Sequence, residues 1–168
     1  KYAPGFELAD EGIVIEPRNL PALLNIALDK KIDAVVADQC DYSYYAAAYI
    51  ADYLGLPGSG LDAAQNTTNK KWMRTACETA GIKQPEYIPC KTMDEISAAI
   101  TKIGYPCIIK PLDNRGNFGV NLVDDDSQVK DAFFEAIANA HSRECLVEKF
   151  IEGTMITVDG FAFNNGEH

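Results

Sequence analysis

Two charged residues stand where an apolar run ends, and a glycine-containing loop lies between them. In Pro106-Cys107-Ile108-Ile109-Lys110-Pro111 the lysine follows a run with no other charge. An ammonium there is costly unless it meets an anion or water. The residues that follow, Asp113-Asn114-Arg115-Gly116-Asn117-Phe118-Gly119-Val120, include two glycines. These let the backbone fold tightly and turn N–H groups toward a negative ligand. A lone lysine at a strand end is also a common snorkelling surface residue. Taken with the flexible loop and the apolar segment returning after it, Lys110 points to phosphate. Further along, Leu146-Val147-Glu148-Lys149-Phe150-Ile151-Glu152-Gly153 sets a charged pair directly after a run of buried type. It reads either as a strand leaving the core with solvated charges, or as a hinge whose backbone N–H and C=O groups pair with adenine.

The elements that must position these residues follow from hydrophobic periodicity. Apolar runs at 12–15 and 33–37 read as strands. Leu20, Leu23, Leu24 and Ala27 fall on one face of a helix, and a second helix is expected over 42–54. Gly55-Leu56-Pro57-Gly58-Ser59-Gly60 must end it. A helix is expected over 70–80, with Trp72, Ala76, Cys77 and Ala80 along one side and Gly81 after it. A short strand at 86–90 precedes Thr92 and Glu95, whose spacing is that of a capping box. The helix they open turns Ile96, Ala99, Ile100 and Ile103 inward and closes at Gly104. Strands at 106–110 and 119–123 flank the loop as in a hairpin. Val129, Ala132, Phe133, Ala136, Ile137 and Ala140 mark a helix, and strands at 145–150 and 156–163 finish the chain. The βα alternation before residue 60 implies parallel pairing through crossover helices. Two pieces are expected, 1–60 and 61–168.

The 168 residues carry a formal net charge of −10, which disfavours broad nucleic-acid binding while leaving room for a local basic pocket. No apolar run approaches the length of a membrane span. Five cysteines without a CxxC pair and only two histidines disfavour a zinc site. Without a secretory signal, the expected compartment is the cytoplasm. Gly58-Ser59-Gly60-Leu61-Asp62-Ala63 fits the spacing of a dinucleotide fingerprint but follows a helix where a strand is required, so an interdomain turn is the better reading.

Four segments in order now resemble one family, the ATP-grasp ligases of the carbamoyl-phosphate synthase, biotin carboxylase and purine carboxylate–amine ligase type. Ala9-Asp10 through Gly55-Leu56-Pro57-Gly58, including Lys31-Ile32-Asp33, is similar to the later part of the domain preceding the grasp. Asn69-Lys70-Lys71-Trp72-Met73-Arg74 with Ala80-Gly81-Ile82-Lys83-Gln84-Pro85 resembles the opening of the N-terminal grasp subdomain. Gly104-Tyr105-Pro106 through Gly119-Val120, and then Glu148 through Gly153, complete it. The resemblance implies an α/β fold: part of a parallel-sheet pre-ATP-grasp domain, followed by the α+β N-terminal ATP-grasp subdomain.

It also implies roles. Lys70 would reach the α-phosphate region and Lys110 would be the second phosphate lysine. The loop of Asn114, Arg115, Gly116, Asn117, Phe118 and Gly119 would cover the β- and γ-phosphates. Glu148 would meet the adenine amino group, with the backbones of Lys149 and Ile151 completing base recognition. Two departures stand out. Met155 occupies the place of an acid that contacts ribose, where Asp159 could substitute, and Asn69 stands where aspartate is commoner. The implied activity is activation of a small carboxylate by ATP as an acyl-phosphate, for attack by an amine or similar nucleophile. Magnesium and its acidic ligands are expected outside this chain, which is expected to be an inactive fragment of a longer ligase. A homo-oligomer is compatible with this reading. A nucleotide-sensing module without catalysis and a Rossmann-type redox domain are the alternatives.

Overall fold

A computed structural model describes residues 4–37 and 40–158. A single helical turn, α1 (Gly5–Leu8), precedes α2 (Leu20–Lys30), α3 (Asp41–Leu54), α4 (Leu61–Thr68) and α5 (Lys70–Thr79). After them come β1 (Tyr87–Cys90), α6 (Met93–Ile103), β2 (Cys107–Pro111), β3 (Asn121–Val123), α7 (Asp126–Asn139) and β4 (Cys145–Lys149). The four strands form one sheet in the order β1-β4-β2-β3, antiparallel at every junction.

Local chemistry sets these elements. Asn19 caps α2, its side chain accepting from Ala22 N, and Pro21 occupies the first turn, where a missing N–H does no harm. Thr92 and Glu95 make the expected capping box, and Gly104 stops α6 with φ 74°. Asp125 caps α7 through Ser127 N. Both helices turn their apolar stripes to one face of the sheet. There Ile96, Ala99, Phe133 and Ala136 meet Cys90, Cys107, Ile109, Val123, Cys145 and Val147 in the core. Side chains alternate along a strand, so the residues between these, Ile108, Lys110, Leu146 and Glu148, belong to the opposite face. The register sets Ile108 opposite Glu148 and Lys110 opposite Leu146, one diagonal step apart. The hairpin expected across the loop is present, since β2 pairs with β3.

The runs at 12–15 and 33–37 are not strands. Neither has a sheet partner among the described residues, and Val14 and Val36 are 72% and 87% exposed. A run of β-branched residues forms a strand only where a neighbour takes up its N–H and C=O groups. Helices carry this part of the chain, and the expected parallel pairing has no counterpart among the described residues. Of the strand expected at 156–163, residues 156–158 are unpaired and the remainder, with Asp159, lies outside the described residues. The glycines at 58 and 60 do open a helix, because Gly60 caps α4 at φ 83°. It is α3 and its turn, not a strand, that lead into it, so the dinucleotide reading lacks its strand. No helix among the described residues is long and apolar enough to cross a membrane.

Candidate functional site

Glu148 is the one charged residue in the buried interior of the described chain, 7% exposed. Its carboxylate lies between two cations delivered by different elements. Lys110 Nζ of β2 is 2.5 Å from Oε2, and Arg74 Nη2 of α5 donates to Oε1 at 2.5 Å. Each carboxylate oxygen thus faces its own cation, Oε1 the Arg74 guanidinium and Oε2 the Lys110 ammonium. Arg74 is itself held at two points. Its Nη1 donates to Gln84 Oε1 at 3.3 Å, and Gln84 Nε2 donates to the Arg74 carbonyl at 2.8 Å.

Lys70 opens α5 one residue after its cap. Asn69 accepts from Lys71 N and Trp72 N, at 3.0 and 3.3 Å. That work needs an oxygen and not a charge, so asparagine in place of aspartate keeps it. Lys70 N donates to Leu112 O at 2.9 Å, and its Nζ donates to Asn114 O at 2.7 Å. Among the described residues it pairs with no carboxylate. Burial, and then the charge of Lys110, hold its ammonium below the ordinary lysine value. Lys70 and Lys110 thus lie close enough to repel, with Glu148 paired to Lys110 and Arg74 and the charges of Asp41 and Asp113 also acting on Lys70. A bound anion would relieve the repulsion between the two lysines.

The loop after β2 is anchored at its base and tied at its tip. Asp113 accepts from His141 N and Ser142 N at 2.9 and 2.8 Å. Asn114 Oδ1 accepts from Arg115 N at 2.8 Å and from the Tyr42 hydroxyl at 3.2 Å. The Arg115 guanidinium lies over the Tyr42 ring, 5.5 Å from its centre. Gly119 is fixed by sterics: φ is +74°, and an added Cβ would lie 3.0–3.1 Å from Asn139, Glu135 and Pro111. Phe118 is 66% exposed. Among the described residues no group of three His, Cys, Asp or Glu is placed to hold a metal ion. The side chains gathered here are mainly cationic, a donor set that suits phosphate oxygens and not magnesium.

The structure therefore brings Lys70, Lys110, Asn114 and Glu148 together and sets Arg115, Gly116, Asn117, Phe118 and Gly119 in the adjoining loop. Lys149 departs from that cluster. Its ammonium donates to Tyr105 O at 3.2 Å on the other face, and its N–H donates to Glu86 O at 2.9 Å. Base recognition by this residue would fall to its carbonyl. Ile151 is 65% exposed beyond the strand end, and Met155 is 94% exposed. Arg74, Gln84 and Tyr42 were not among the expected site residues. Lys70 and Arg74 are four apart, hence on one helical face, and that spacing was the available signal for Arg74.

Residues 69–156 match the family model described as the carbamoyl-phosphate synthase L chain ATP-binding domain. The chain belongs to that family. It is an ATP-grasp domain, and relatives agree along nearly its whole length. A formate-dependent phosphoribosylglycinamide formyltransferase of Wolinella succinogenes is 30% identical over 98% of this chain and 43% of its own length. A carbamoyl phosphate synthase large chain of Vibrio vulnificus is 25% identical over 92% of this chain and 14% of its own. The chain thus spans less than half the length of the curated relatives it matches. Among solved structures, an ADP complex of N5-carboxyaminoimidazole ribonucleotide synthetase aligns over 90% of this chain and 38% of its own, with TM-score 0.73 and 23% identity. The biotin carboxylase domain of the Hydrogenobacter thermophilus 2-oxoglutarate carboxylase, in complex with MgADP, ADP and bicarbonate, gives TM-score 0.70 and 19% identity over 90% and 37%. These two share the fold with this ATP-grasp domain.

Proposed function

We propose that this ATP-grasp domain forms one wall of the ATP site of a ligase that converts a small carboxylate to an acyl-phosphate, for attack by an amine or similar nucleophile. The observation that carries the reading is the pairing of Lys110 and Arg74 with the buried Glu148 carboxylate, with Lys70 nearby on the Asn114 carbonyl of a tied glycine loop. Similarity to a formate-dependent formyltransferase supports a small carboxylate as the activated group. Residues 1–60 would belong to the preceding domain and 61–168 to the grasp.

Phosphoryl transfer asks little covalent chemistry of a protein; positioning and charge stabilisation carry it. Lys110 would leave Glu148 far enough to share a phosphate oxygen. Lys70 would exchange the Asn114 carbonyl for an α-phosphate oxygen, freeing the loop. Backbone N–H groups of 114–119 would then close on the β- and γ-phosphates. Glu148 Oε2, released in part by Lys110, would accept from the adenine amine, with the Lys149 carbonyl and the Ile151 N–H on the base. Magnesium, when bound, would neutralise phosphate charge, its acidic ligands coming from outside the described residues.

The test is ADP release by the intact protein across a panel of small carboxylates with and without amines. Release that depends on one carboxylate supports a ligase. Tight ATP binding with no carboxylate-dependent release favours the second reading, a nucleotide sensor, to which Met155 at the place of the ribose-contacting acid lends support. NADH binding without ATP binding would support the redox alternative.

A further inference from the structure

We infer that Arg74, clamped by Gln84, is the residue that sets purine-base specificity, by holding the Glu148 carboxylate in its base-reading orientation; this rests on the ATP-site reading above. Glu148 has two cations within 2.5 Å. Were Lys110 its only partner, a flexible ammonium could take both oxygens and draw the carboxylate toward the phosphate end of the site. Arg74 prevents this by fixing Oε1 through a planar guanidinium that cannot follow such a swing. Gln84 removes the remaining freedom. It accepts from Arg74 Nη1 and donates to the Arg74 backbone, so the tip of the side chain and its own main chain are tied to one amide.

The consequence is an oriented acceptor. With Oε1 held by Arg74, Oε2 is the buried oxygen that is freed for the base when a phosphate draws Lys110 away from it. An ionised carboxylate accepts hydrogen bonds and donates none. The exocyclic amine of adenine satisfies it; the O6 carbonyl of guanine, an acceptor, meets it with repulsion. Discrimination of this kind depends on the carboxylate being unable to turn away, because a mobile one would retreat to Lys110 and tolerate either base. The same clamp acts at the phosphate end. While Arg74 shares the charge of Glu148, Lys110 is only partly neutralised and remains available to a phosphate oxygen. Arg74 therefore acts through Glu148 and touches no reacting atom. It is a positioning residue.

The experiment measures Kd for ATP and GTP by calorimetry on the intact protein and on Arg74→Met, Arg74→Lys and Gln84→Ala. Wild type should prefer ATP. Arg74→Met should bring the ATP:GTP preference down by about tenfold to a hundredfold, the range of one charge-assisted hydrogen bond. Arg74→Lys should recover only part of it, since a single ammonium cannot bridge Glu148 and Gln84. Gln84→Ala leaves every charge paired, so it decides the matter if Arg74→Met does not fold; its preference should fall by about threefold to tenfold. Variants that weaken ATP and GTP equally, leaving the ratio at the wild-type value, overturn the inference while the ATP site stands. A wild type that binds ATP and GTP alike also overturns it. A wild type that binds neither overturns the ATP-site reading, and this inference with it.

Discussion

Replacing Lys70 and Lys110 by methionine, one at a time, should move stability in different ways while weakening ATP binding in both cases. Lys110 is 17% exposed and pairs with a carboxylate only 9% exposed. Breaking a fully buried pair costs about 3–5 kcal/mol; because Arg74 still shields Glu148, Lys110→Met should cost roughly 1–3 kcal/mol. For a chain of this size that is a fall in Tm of roughly 2–12 °C. Lys70 has no carboxylate partner and sits beside a like charge, its ammonium held by one carbonyl at 2.7 Å. Methionine there loses one hydrogen bond and removes both desolvation and repulsion, so stability should stay level or rise by up to about 1 kcal/mol. In binding, each substitution should weaken ATP by about tenfold to a hundredfold, from a lost charge-assisted contact of about 1.5–3 kcal/mol, and leave adenosine almost unchanged. Thermal melts and calorimetry with both ligands read this directly. The reasoning fails if Lys70→Met destabilises as much as Lys110→Met, or if adenosine loses as much affinity as ATP.

The same lysine predicts a pH dependence. Because burial and Lys110 hold the Lys70 value below 10.5, the unfolded chain binds more protons between the folded value and 10.5. Its cost to the fold is therefore full below the folded value and is relieved as pH rises toward 10.5. Denaturation midpoints of wild type should climb relative to Lys70→Met over that window, and parallel curves would count against it. Gly119→Ala should destabilise by about 2–4 kcal/mol, combining a positive φ with contacts near 3.0 Å, whereas Gly60→Ala, also at positive φ but in open space, should cost only about 1–2 kcal/mol; urea titrations distinguish them. Tyr42→Phe removes the hydroxyl that donates to Asn114 Oδ1, so amide exchange at 114–116 should quicken while the α6 amides stay at the wild-type rate. Equal exchange in the two proteins would show that Tyr42 does not tie the loop.

Much of the grasp subdomain was legible because its signals are local. The Thr92–Glu95 box, the stop at Gly104, the stripe of α7 and the hairpin around the loop each depend on residues within one element or one turn. Lys110 and Glu148 stood out because a charge at the end of an apolar run is costly anywhere. What escaped depended on partners distant in sequence. The runs at 12–15 and 33–37 have strand composition but no neighbour to pair with among the described residues. α4 was hidden because its polar composition gives no apolar stripe and its start rests on Gly60 at positive φ. That Arg74 reaches Glu148, seventy-four residues away, follows only once the tertiary fold brings their two elements together. Lys149 was expected to serve through its backbone, and strand alternation sends its side chain to the face opposite Glu148, where it meets Tyr105 O.

The most direct measurement of the central claim is a crystal structure of the intact protein with ADP. The account places the phosphates between Lys70, Lys110 and the 114–119 backbone, and the adenine amine on Glu148 Oε2 with Arg74 still on Oε1. Nucleotide bound elsewhere, such as at Gly58–Gly60, or a complex in which Lys110 stays on Glu148 while the phosphates touch neither lysine, would contradict it.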